Sequence, residues 1–236
     1  MVSLDANSTI MIPWNKGKTK ETHPSLRKTS DTLKSKKASN FLKWQRENKP
    51  TYKRIQKSRY LAELYGTLLG DGCLEALPRT DKMTISFNRS EQNHIKHVSK
   101  LIQNIIGKKP FLRIRRDTNC NDLYLYQKYL QKRLDFPYGE KLKHKITIPD
   151  WICKSKIYTK HCLKGLFETD GSWVIDNKYK TNVIEYSSRS TSLLDKIKTI
   201  LEKHAFNPQR GKYYVRLARK AEVERLADWI QFRIYK

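Results

Sequence analysis

Two carboxylates at matched positions are the groups best placed to do chemistry in this 236-residue chain. Asp71 closes the run LYGTLLGDG (Leu64 to Gly72), and Asp170 closes LKGLFETDG (Leu163 to Gly171). A lone Asp-Gly would cap a helix and start a turn. A matched pair brought side by side offers hard oxygen donors to a divalent cation. Phosphodiester hydrolysis needs a nucleophilic water, charge relief on the phosphate and a stabilised leaving oxygen, and a metal held between two carboxylates can supply all three.

The elements that must position these acids follow from the same runs. Small residues stand four apart, Gly66 and Gly70 in the first copy, Gly165 and Thr169 in the second. On a helix these share one face, so two such helices can approach backbone to backbone and set the acids beside each other. The pattern predicts helices from Tyr60 to Leu69 and from about Thr159, as N-cap, to Thr169. Beyond the first, Met83, Ile85 and Phe87 alternate with polar residues, the period of a half-buried strand. A helix with Ser90 as N-cap ends at Gly107. Strands follow at Phe111 to Arg116 and Asp122 to Tyr126, then a short helix from about Gln127 to Leu134. The second copy repeats the order: strands at Ser172 to Asp176 and Asn182 to Tyr186, a helix through Leu193 and Leu201, a strand from Lys212 to Leu217, and a helix from about Ala221 to Phe232. Asp71 lies 36 residues before Gly107, and Asp170 lies 36 before Phe206, where the matching helix ends. The chain therefore predicts a duplicated αββαββα fold of the α+β class.

A net charge of +26 calls for a polyanionic partner. The excess begins at the N-terminus, where residues 1–60 hold 15 Lys and Arg against 4 Asp and Glu. Residues 14–58 are too poor in large apolar residues to bury a core. They form either a disordered basic arm or an appendage that orders on a phosphate backbone, with Lys16, Lys18 and Arg27 among its contacts. Residues 39–60 have helical character interrupted at Pro50. The expected domains are 1–58, a basic extension and linker, 59–158 and 159–236, the two halves. Cys73, Cys120, Cys153 and Cys162 include no C-x-x-C and are expected as free thiols. With no signal-peptide core and no apolar spanning stretch, an intracellular protein, in cytoplasm, nucleoid or organelle, is expected rather than a secreted one. His94 and His97 invite a metal, but their helix is expected behind the sheet.

The paired runs and the matched order after them resemble the LAGLIDADG homing endonucleases, over about residues 59–236. Two copies in one chain correspond to that family's monomeric, pseudo-symmetric branch. The resemblance implies two antiparallel sheets forming a saddle over double-stranded DNA, and Asp71 and Asp170 as catalytic metal ligands for Mg²⁺, with Mn²⁺ as a substitute. It also implies that the carbonyls of Gly70 and Thr169 join the ligand set, and that a lysine after the third helix of a half assists catalysis. Lys145 matches that lysine by position, with Lys143 its neighbour; the second half offers only Arg233 and Lys236. Residues 13–40 resemble the NUMOD-type DNA-binding modules attached to intron-encoded nucleases.

Outward strand positions should then contact DNA. These are Lys82, Ser86, Asn88, Arg113, Arg115 and Tyr124 in the first half, with the arginines suited to guanine. In the second half they are Lys178, Lys180, Arg189, Lys212 and Arg216. The implied activity is site-specific double-strand cleavage at a long target, in the homing of a mobile intron. An intron RNA maturase, with host intron RNA as partner, and a DNA-binding protein that does not cut are the other readings of the same fold.

Overall fold

Both motif runs are helical in the computed structural model, which describes residues 13–35, 54–176, 178 and 181–233. The chain divides into two units, Met1–Thr51 and Tyr52–Lys236. In the first, a turn at Pro13–Lys16 precedes helix α1 (Pro24–Ser35), which buries none of its residues. Trp14 packs edge-on against His23 at 5.5 Å and carries the Lys18 amine over its ring. This unit has no apolar core among the described residues, as its composition requires. The helix expected within residues 39–60 falls mostly outside the described residues.

The second unit carries the duplicated order. Its first half runs α2 (Arg59–Leu69), β1 (Gly72–Leu77), β2 (Thr80–Asn88), α3 (Gln92–Ile106), β3 (Phe111–Ile114), β4 (Cys120–Gln127) and α4 (Leu130–Leu134). A single turn, α5 (Asp150–Cys153), connects to the second half: α6 (Lys156–Asp170), β5 (Gly171–Asp176), β6 (Thr181–Ser187), α7 (Thr191–Lys203), β7 (Gln209–Arg210), β8 (Tyr214–Leu217) and α8 (Lys220–Ile230). Each half builds one antiparallel four-stranded sheet, ordered β1-β2-β4-β3 and β5-β6-β8-β7.

Period-two alternation sets which face of each sheet is buried. Leu74, Met83, Ile85, Leu123 and Leu125 turn into the core, each no more than 2% exposed. Ile184, Tyr186, Val215 and Leu217 do the same in the second sheet. The apolar stripes of α3 and α7, through Ile95, Val98, Ile102, Leu194, Ile197 and Leu201, complete one continuous core. The edge strand β3 departs from this pattern. Leu112 and Ile114 stay 46% and 62% exposed on this strand, which pairs with β4 alone.

The helix starts differ from the sequence expectation. Ser155, not Thr159, caps α6, accepting from the Tyr158 N–H; Thr159 instead donates to the Ile152 carbonyl at 2.9 Å. Glu91, not Ser90, stands at the start of α3, because the Ser90 hydroxyl is taken up by Asn88 Oδ1 at 2.9 Å. In the second half Ser190 caps α7, its hydroxyl accepting from the Leu193 N–H.

Candidate functional site

The site rests on the α2–α6 seam. A Cβ placed on Gly66 would lie 2.0 Å from the Cys162 carbonyl oxygen, and one on Gly165 would lie 2.2 Å from the Glu63 carbonyl oxygen. The two backbones are therefore in direct contact, which only glycine permits at those positions. At the end of the seam, a Cβ on Gly70 would meet Thr169 Oγ1 at 2.0 Å and Asp170 Oδ2 at 3.4 Å. The two motif ends abut.

Asp71 follows α2, and its carbonyl accepts from the Ser86 N–H at 3.3 Å. Asp170 is the last residue of α6. Both side chains reach solvent while crowded by protein. That crowding, with the neighbouring Asp170 carboxylate second, pushes Asp71 up to about 6, against the pull of Lys141. Asp170 is also raised by desolvation, opposed by Lys141 and by the Tyr186 hydroxyl, which lies 3.4 Å from its Oδ2. Two carboxylates held this close are short of positive charge.

Among the described residues, the ammonium beside the pair is that of Lys141. Its Nζ donates to the Leu69 carbonyl at 2.9 Å and to the Gly70 carbonyl, over the free end of α2. Burial lowers its pKa, while Asp170 and Asp71 raise it. Lys145, the residue expected there, is exposed on a backbone with φ 45°, and Lys143 pairs with Glu140 at 3.1 Å. The chain between α4 and α5 thus brings Lys141, four residues before Lys145, to the carbonyls at the end of α2. The Gly70 carbonyl faces this ammonium, and the Thr169 hydroxyl bonds back to the Leu166 carbonyl at 2.9 Å, so its side chain is spent within α6.

A second polar cluster was not foreseen in the sequence. Glu63 in α2 and Glu168 in α6 are 4% and 8% exposed. Arg233 bridges them, with Nη2 2.5 Å from Glu63 Oε1 and 2.7 Å from Glu168 Oε2. His97 Nε2 lies 2.7 Å from Glu63 Oε1, and His161 Nδ1 lies 3.2 Å from Oε2. Arg233, one of the two basic residues left for the second half, is therefore engaged with these carboxylates. Lys236, the other, lies outside the described residues. His94 packs edge-on against Phe87 at 5.0 Å, and burial pushes its pKa down to about 4.

The expected DNA contacts sort by what already holds them. Lys82 pairs with Glu75 at 3.1 Å. Ser86 and Arg115 both bond Asp122, at 2.9 and 2.7 Å. Asn88 caps the β2–α3 turn, Arg113 is exposed, and Tyr124 stacks with Phe111. In the second half Arg216 bonds Gln209 at 2.9 Å and lies over the Tyr214 ring. Lys212 covers Tyr213, while Lys178 and Arg189 are exposed in connections. Lys180 is outside the described residues. Lys16, Lys18 and Arg27 are exposed in the first unit. Among the described residues no set of three or more His, Cys, Asp or Glu could enclose a metal, and no helix is long and apolar enough to cross a membrane.

Residues 159–230 match the family described as a LAGLIDADG-like domain. No curated protein matches the chain in sequence. Among solved structures, mesophilic variants of the homing endonuclease I-DmoI are 18% identical, with a TM-score of 0.52 over 75% of this chain and 98% of theirs. I-DmoI in complex with DNA and Mn is 17% identical, with TM-score 0.52 over 75% and 98%. The homing endonuclease I-WcaI bound to its DNA recognition sequence is 16% identical, with TM-score 0.52 over 78% and 90%. At such identities the likeness is one of fold: two antiparallel sheets with helices, arranged as in the LAGLIDADG homing endonucleases.

Proposed function

We propose that this chain is a divalent-metal-dependent, site-specific DNA endonuclease that acts as a monomer on duplex DNA in the homing of a mobile intron. The observation that carries the proposal is the meeting of Asp71 and Asp170 at the abutting ends of α2 and α6. Two motifs in one chain supply both acids, so no second copy is needed. The net charge of +26 supports a nucleic-acid substrate, and the relatives solved with DNA support duplex DNA in particular.

The residues present fit a metal such as Mg²⁺, with Mn²⁺ as a substitute. Two carboxylates crowd together beside the Lys141 ammonium, and burial, with Asp170 second, pushes Asp71 up to about 6. Mg²⁺ is held in this way, by one or two carboxylates with the remaining positions left to water and substrate phosphate. Asp71 and Asp170 would hold it, with the carbonyls of the residues just before them, Gly70 and Thr169, as the further ligands the resemblance implies. When bound, it supplies charge neutralisation at the phosphate and a more acidic water. Lys141 orients the end of α2 through its carbonyls and keeps a positive charge beside the acids. Its ammonium, held on the carbonyls that end α2, is the positive charge this chain sets beside the acids, the role expected of Lys145. The exposed basic side chains of both sheets, with Lys16, Lys18 and Arg27 of the first unit, would neutralise the DNA backbone.

Asp71→Asn and Asp170→Asn should each abolish Mg²⁺-dependent linearisation of a plasmid carrying the target while binding it in the same gel-shift range as the native chain. Lys141→Met should cut more slowly than Lys145→Met, which should behave as native. Normal cleavage by either asparagine variant sinks the proposal.

A further inference from the structure

The solvent face of the first sheet separates into groups already partnered and groups left open. Asp122, only 5% exposed, engages Ser86 and Arg115, and Glu75 engages Lys82. What remains open is an aromatic row. Phe111 stacks on Tyr124 with ring centroids 5.7 Å apart and planes at 28°, and Tyr124 meets Tyr126 edge-on at 5.6 Å. Phe111 is 53% exposed and Tyr126 39% exposed. Phe111 pairs in register with Tyr124, and Tyr126 stands two residues further along β4, so the row joins two neighbouring strands, β3 and β4.

An apolar row on so basic a chain calls for an apolar feature in its partner. The Tyr124 and Tyr126 hydroxyls can meet phosphates or base edges, but the ring surfaces of the row cannot. In a major groove the apolar group on a base edge is the thymine C5 methyl. Cytosine carries only a hydrogen at C5, and its N4 amino donor takes the place of thymine O4, so its edge offers these rings no methyl to cover. Resting on the duplex-DNA function proposed above, we infer that Phe111, Tyr124 and Tyr126 are specificity-determining residues that read thymine methyls in the half-site beneath the first sheet. Arg115, bonded to Asp122, then serves to hold the sheet's floor, and Arg113, exposed two residues along β3 from Phe111, is the arginine free to contact a base.

Deoxyuridine isolates the methyl, because it pairs as thymidine does and lacks only that group. Duplexes selected from a random pool by the full chain are sequenced, then rebuilt with deoxyuridine replacing thymidine one position at a time. Two or three neighbouring substitutions in one half-site should each weaken binding by native protein about fourfold, the worth of one buried methyl-sized group. Phe111→Ser with Tyr124→Ser should bind thymine and uracil duplexes alike, while Phe111→Leu, which keeps an apolar surface, should retain the preference. Native protein that binds both duplexes equally overturns the inference and leaves the endonuclease proposal standing. Uracil sensitivity that persists in the double serine variant overturns the assignment to these residues. Failure of the native chain to bind any duplex overturns the proposed function and this inference together.

Discussion

Asp71 is held where its charge is unwelcome, and that has a measurable sign. Desolvation and Asp170 raise its pKa in the folded chain from 3.8 to about 6. A raised acid favours the folded state while protonated, so stability is fully present below about 3.8 and falls as pH climbs through 6. In EDTA at pH 7, Asp71→Asn should therefore be more stable than the native chain. Solvent reaches this side chain, so after screening the gain is about 1 kcal/mol, or roughly 2–4 °C in Tm. The difference should shrink as pH falls from 6 to 4, and added Mg²⁺ should stabilise the native protein more than the variant. A variant that melts lower at pH 7, in calorimetry across that pH range, would show that the pair is not repulsive. The same residues show how far sequence reached. The two acids were legible because each is fixed by its own motif. The lysine was not: Lys141, Lys143 and Lys145 are alike in local pattern, and a contact with carbonyls more than 70 residues away selects among them.

At the scale of elements, the seam between α2 and α6 decides whether the acids meet. Two effects compete at Gly66. Alanine is the better helix former by about 1 kcal/mol. Its Cβ, however, would sit 2.0 Å from the Cys162 carbonyl oxygen and 2.9 Å from the Leu166 nitrogen, and both are backbone atoms inside a helix that cannot yield alone. Overpacking of this kind costs about 1–3 kcal/mol and more where the obstacle is rigid, so the steric term wins. Gly66→Ala should lower the urea midpoint and displace Asp71 from Asp170, with loss of cleavage beyond the loss of stability. A midpoint at or above native would mean that the helices are not in backbone contact. The seam and the strand faces were readable because both depend on local period, four on a helix and two on a strand. Helix starts were less so, because Ser90 and Thr159 have competing hydrogen-bond partners from neighbouring segments that no local pattern reveals.

At the scale of the whole second unit, the two halves are tied by a charge cluster distinct from the acids at the seam's end. Arg233, beyond α8, reaches Glu63 of the first half and Glu168 of the second, and contacts His97 of α3 at 2.8 Å. Glu63 and Arg233 are 170 residues apart, which is why neither stood out in the sequence. Burial pushes Glu63 upward, but His161, His97 and the Arg233 guanidinium outweigh it and hold the carboxyl well below the usual range. Arg233→Met would leave two buried carboxylates without their shared cation. Removing one member of such a set costs about 3–5 kcal/mol, and Arg233 is partly exposed, which places this variant near the lower end. The pH dependence separates loss of charge from loss of packing. A depressed carboxyl stabilises the fold above its unfolded value of 4.5, and that contribution is lost as pH falls below it. The gap between native and Arg233→Met in urea should therefore be full at pH 7 and close progressively below about 4. A gap that stays constant from pH 7 to pH 3 would mean that Arg233 acts through packing alone, and that the halves are not joined by charge.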